Sequence, residues 1–89
     1  MPTASPAPGQ FVLGGYVQIT GTEGDGLRLR ADPGLSGRQL TLGYDSEIFQ
    51  LGDGPRQEDG RTWWYLVSPY EADRAGWAVQ DYLTPIEEP

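Results

Sequence analysis

The sequence predicts an all-β domain, a small, partly open barrel of five to six short antiparallel strands with a short 3₁₀ turn near the C-terminus. From Phe11 onward, short apolar segments alternate with polar residues at a period of two, and Gly, Pro and Asp interrupt them at close intervals. The 89 residues include 13 Gly and 8 Pro beside three Trp, five Tyr and two Phe, a composition suited to turns around an aromatic core. No stretch of about ten residues carries apolar groups at helical spacing. So few strands cannot build two large packed sheets, and curling one sheet around a single core hides its edges.

Residues 1–14 read as a flexible linker. Pro2 to Gln10 has three prolines and no large side chain, so little apolar surface offsets the entropy of ordering it. The tract lacks the charged and apolar regions of a signal peptide. Residues 15–86 are expected to form the barrel, and residues 87–89 a tail.

The first strand holds Val17 and Ile19 between Tyr16, Gln18 and Thr20. Gly21 to Gly26 is a turn, and Leu27 and Leu29 then alternate with Arg28 and Arg30 in a half-buried strand with a charged outer face. Asp32-Pro33-Gly34 has the residues of a type II turn, since Pro presets φ and Gly accepts a positive one. Leu40 and Leu42 mark another strand, and Phe49 and Leu51 share a face of the segment Glu47 to Leu51. Gly52 to Thr62 is polar and reads as a long loop. Trp63 to Val67 is strongly strand-forming, Ser68 to Ala75 reads as a loop, and Gly76 to Val79 as the last strand. Asp81 to Leu83 has the look of a 3₁₀ turn before Pro85. The expected core is Val17, Ile19, Leu27, Leu29, Leu40, Leu42, Phe49, Leu51, Trp64, Leu66, Trp77, Val79 and Leu83.

Charge and missing residue types exclude several functions. Thirteen acids against six bases, all of them Arg, give a net charge of −7, so no basic stripe is available for nucleic acid and docking on anionic lipid is opposed. No apolar run approaches the roughly 20 residues that span a bilayer as a helix. Without histidine or cysteine, the chain lacks the commonest general base, thiol nucleophiles and thiolate metal sites. Ser36 lies outside a nucleophile-elbow motif and has no histidine to activate it. Glu23 with Asp25, or Glu58 with Asp59, reads as solvated turn acids rather than a glycosidase pair. Asp25, Asp45, Asp53 and Asp59 lack calcium-loop spacing. The expectation is no enzyme activity, no cofactor and no metal site. Arg28 and Arg30 share a strand face and could grip a carboxylate, but the sequence favours a pair that neutralises acids across the sheet.

Four blocks, in order, carry a family resemblance. Gly26-Leu27-Arg28-Leu29-Arg30-Ala31-Asp32-Pro33, the strand Gly43 to Leu51, Asp59-Gly60-Arg61-Thr62-Trp63-Trp64-Tyr65-Leu66 and Gly76-Trp77-Ala78-Val79-Gln80-Asp81-Tyr82-Leu83 together resemble the motifs of bacterial SH3-like (SH3b) domains. They span about residues 16–84. Arg28 stands where Asn is usual. Ala78 and Val79 replace the family's pairing, which is expected to move one small apolar residue outward. The Ser68 to Ala75 loop is longer than usual.

The resemblance implies an SH3-like barrel serving as a non-catalytic binding or targeting module in an exported, cell-envelope protein. Peptidoglycan or an extended peptide is the implied ligand, and the domain is expected to be a monomeric part of a larger polypeptide. Alternation points Trp64 and Leu66 inward and Trp63 and Tyr65 the other way. By likeness to the groove of eukaryotic SH3 domains, Trp63 and Tyr82 are the candidate ligand-binding residues, with Tyr44 and Tyr70 as loop contributors. Flat aromatic faces suit extended peptides or sugar rings. An interaction or spacer domain that contacts another protein, or its own polypeptide, is the alternative expectation.

Overall fold

The computed structural model describes residues 11–71 and 73–87. Seven strands, β1 (Tyr16–Ile19), β2 (Leu27–Arg30), β3 (Gln39–Gly43), β4 (Ile48–Glu58), β5 (Arg61–Val67), β6 (Ala75–Val79) and β7 (Leu83–Ile86), form one antiparallel sheet. Their order is β3-β2-β6-β5-β4-β1-β7, and the sheet is not closed. A 3₁₀ turn, Gln80–Tyr82, joins β6 to β7. The all-β architecture is the expected one, with one strand more than the sequence suggests. β7 escapes notice because it contains Pro85, but an edge strand tolerates a residue without an N–H, and β7 pairs only with β1.

The sheet curls until distant strands meet. β3 is the edge strand and β1 lies five places along the order, yet a Cβ placed on Gly43 of β3 would come within 2.3 Å of Ile19 Cδ1. Backbone bonds reinforce the approach, since Ile19 N–H donates to Glu47 O and Ser46 N–H to Ile19 O. Gly43 is therefore a buried position where any side chain would have to displace Ile19.

β3 thereby inverts one expectation. The sequence places Leu40 and Leu42 in the core, but Leu42 pairs with Arg28 on the outer face, while Thr41 pairs with inward-facing Leu29. Leu40 is 48% exposed. A one-residue change of parity moves every side chain of a strand to the other face, and the crowding at Gly43 decides the parity here.

The expected loop Gly52 to Thr62 is also a correction. It is the outer half of a long hairpin, β4 to β5, closed by Asp59 and Gly60, both with positive φ (54° and 70°). That conformation is the two-residue hairpin turn that Asp-Gly favours. Register shifts between Leu51 and Asp53 and again between Asp53 and Arg56 bend β4. Polar composition here marks strands reaching beyond the core.

The buried side chains form two layers. Phe49, Leu51, Trp64, Leu66 and Ala78 are inward, as the pairings Leu51 with Leu66 and Trp64 with Ala78 require. The pairings Trp63 with Val79 and Tyr65 with Trp77 put those four on the opposite face. The small residue expected to move outward, Ala78, is instead fully buried. Trp77 is covered by Tyr65, with ring centroids 5.6 Å apart, and by the Arg56 guanidinium 5.6 Å from its ring. Residues ahead of β1 join the fold as well. Phe11 stacks on Trp64 at 5.7 Å, and Gly14 N–H donates to Leu51 O. The linker expected over residues 1–14 otherwise lies outside the described residues.

Two acids fasten the loops. Asp45 accepts bonds from Thr22 N–H, Thr22 Oγ1 and Gly24 N–H, tying the β3–β4 turn to the β1–β2 loop. Those bonds, led by Thr22 N–H, hold its carboxyl below the usual range. Arg74, in the β5–β6 loop, donates to both carboxylate oxygens of Glu47 and to Leu42 O, and sits over the Phe49 ring. The Arg74 hydrogen bond keeps Glu47 more acidic than an ordinary glutamate, against the opposing effect of its partial burial. Ser68 closes that loop by accepting the N–H groups of Tyr70 and Glu71 on Oγ. Among the described residues, no helix is long and apolar enough to cross a membrane.

Candidate functional site

A cleft of about 560 Å³ opens on the outer face of the sheet beside the 3₁₀ turn. One wall is the β1–β2 loop, whose shape rests on Asp45 and on Gly26 N–H donating to Thr22 Oγ1. Positive φ at Gly21, Glu23, Gly24 and Gly26 turns the chain sharply there, and at Gly26 a side chain would also strike Leu42 Cγ. The floor comes from strands. Arg28 and Arg30 project from β2, Arg61 and Trp63 from β5 and Val79 from β6, each pair two residues apart and so on one face. Tyr82 of the 3₁₀ turn and Leu35 of the β2–β3 loop complete the rim.

The β2–β3 loop is anchored rather than free. Asp59, in the β4–β5 turn, accepts Leu35 N–H at 2.7 Å. This contact brings Leu35 to the strand end that carries Trp63. Gly34 has the positive φ expected of it, 113°, but the hydrogen-bonded turn lies farther on, with Gly37 N–H donating to Gly34 O.

The structure treats the four candidate aromatics differently. Trp63 and Tyr82 line the same cleft. Tyr82 is 41% exposed, as a ligand-binding ring needs to be, whereas Trp63 is only 2% exposed and its indole N–H donates to Glu58 O. Alternation does turn Trp63 away from the inner layer, but the expected open ring is a buried floor. Tyr44 and Tyr70 do not line the cleft; they stand 53% and 71% exposed on the β3–β4 and β5–β6 loops that Arg74 and Glu47 join. Sequence reading missed Leu35, Arg61 and Val79. Period two was signal enough for Arg61, two residues before Trp63, whereas Leu35 reaches the site only through the fold of its loop.

The arginines do not act as the sequence suggests. Opposite Arg28 stands Leu42, and opposite Arg30 stand Gln39 and Trp77, so neither faces an acid across the sheet. Arg30 Nη1 donates to Gly37 O at 2.8 Å, and Arg61 pairs with Asp81 at 2.8 Å. Arg28 makes no hydrogen bond or ion pair among the described residues. Glu23 and Asp25 stand on the loop wall. Among the described residues, no group of three or more His, Cys, Asp or Glu is placed to hold a metal ion. No family model matches the chain, and neither the curated proteins nor the solved structures compared with it show a match.

Proposed function

We propose that this chain is a non-catalytic binding module of a cell-envelope protein, holding an extended peptide or a peptidoglycan segment in the cleft between the β1–β2 loop and the 3₁₀ turn. The observation that carries this reading is that Tyr82, Leu35, Val79 and Trp63 line one cleft together with three arginines. Its volume falls within the range of about 300–1,000 Å³ common to ligand sites. An aromatic ring beside fixed polar groups suits a ligand that presents flat apolar faces and a regular backbone. The SH3b-like motifs support the cell-envelope setting. Asp45 and Glu47, both held charged by the bonds they accept, lie outside the cleft and fasten loops.

NMR titration with muropeptides and with a proline-rich peptide tests the reading. Amide signals of Leu35 and Tyr82 and the Trp63 indole signal are expected to shift together. Tyr82→Ala is expected to weaken binding about fivefold, roughly 1 kcal/mol, with the amide spectrum of the folded domain retained. Cleft signals that stay fixed at millimolar ligand would sink the proposal.

Leu40 and Tyr44 favour a second reading, because both are exposed on or beside edge strand β3. A partner protein, or another part of the same polypeptide, would pack there. Signals of β3 would then move with the partner while those of Tyr82 stay still.

A further inference from the structure

We infer that the ligand of the cleft is a peptide bearing a carboxylate, and that Arg28 receives it. The inference rests on the peptide-binding reading and adds the chemistry of recognition. Half of the chain's six arginines, Arg28, Arg30 and Arg61, line this cleft in a molecule of net charge −7. Their states differ. Arg61 is neutralised by Asp81, so its charge is already answered. Arg30 is held by a neutral carbonyl, Gly37 O, which fixes its guanidinium without cancelling its charge. Arg28 is exposed on the same strand face, two residues away, with nothing bound to its guanidinium among the described residues.

Two uncompensated cations at that spacing, roughly 7 Å apart along the strand, repel each other, and no acid stands opposite either of them. A carboxylate beside Arg28 relieves that repulsion. The planar guanidinium matches a carboxylate with two parallel hydrogen bonds, a match a lone ammonium cannot give. Apolar Trp63 and Val79 lie on the same floor and strengthen the local field. Glu23 and Asp25 of the β1–β2 loop line the same cleft and repel a carboxylate, so the group is held only where it sits closer to Arg28 than to them.

The carboxylate can be a chain terminus or an Asp or Glu side chain, and one peptide series separates them. Three N-acetylated peptides are compared by NMR titration: Ala-Pro-Ala-Pro-Ala as the free acid, the same sequence as its amide, and the amide with the central Ala replaced by Asp. At least one acidic form is expected to bind about tenfold more tightly than the plain amide, about 1.4 kcal/mol. Arg28→Gln is expected to bring the affinities of the acidic peptides down to that of the plain amide measured on the same variant, a ratio of about one in place of about ten. Equal affinities for the three peptides, with Leu35 and Tyr82 signals shifting, overturn this proposal and leave peptide binding standing. An acidic advantage that survives Arg28→Gln overturns the role of Arg28. If none of the three shifts the cleft signals at millimolar concentration, peptide binding fails and the inference falls with it.

Discussion

Trp63 shows how far a single residue can be read from its neighbours. Alternation places it on the face opposite Trp64, and the pairing with Val79 agrees. Alternation says nothing about what lies above that face. Here the carbonyl of Glu58 and the anchored β2–β3 loop reach the strand end, and the indole is buried. Trp63→Ala is therefore expected to cost about 3–5 kcal/mol, as a core aromatic does, rather than to act on binding alone. Tyr70→Ala, at 71% exposure, is expected to change stability by no more than about 0.5 kcal/mol. Chemical denaturation of the two variants checks both figures. Equal small losses would show that Trp63 is a surface ring after all. Tyr82 is the reverse case, for its place within the closing block of the sequence and its partial exposure agree.

Strands impose constraints that no single position reveals. β6 crosses β2 so closely that a Cβ on Gly76 would meet Leu29 Cβ at 2.8 Å and Arg30 N at 2.9 Å. Backbone cannot swing aside as a flexible side chain can, so Gly76→Ala must widen the β2–β6 pairing. A loss of roughly 2–3 kcal/mol is expected, with amide exchange accelerating at Arg30 and Trp77, the paired residues. A Gly76→Ala variant as stable as the parent would mean that the two strands lie farther apart than described. The same glycine appears in sequence only as the start of the Gly76-Trp77 block. Six of the seven strands are legible in the sequence, because one face of each meets the core. The outer half of the β4–β5 hairpin and β7 are not. The first leaves both faces largely in water, and the second is a short edge strand with a proline, so neither carries the apolar period that marks a buried face.

The molecule as a whole is held by a curled sheet and by loops pinned through charge. Glu47 and Asp45 both have acidities raised by the bonds they accept, so each stabilises the fold while ionised. That contribution is present above the ordinary carboxylate values, 4.5 for Glu47 and 3.8 for Asp45, and is lost as pH falls through the lower folded values. Tm is expected to drop below about pH 4.5, and Glu47→Gln to flatten the upper part of that decline while lowering Tm at neutral pH. An unchanged acid profile in Glu47→Gln would remove Glu47 from this role. By itself the sequence determined the all-β class, most of the inner layer and the exclusion of histidine and thiol chemistry, since these follow from residue type and a period of two. Tertiary structure alone decided the parity of β3, the burial of Trp63, and the gathering of Leu35, Arg28 and Tyr82 around one cleft. Those outcomes depend on contacts between segments far apart in the chain, at Gly43 against Ile19 and Asp59 against Leu35, and local periodicity holds no record of them.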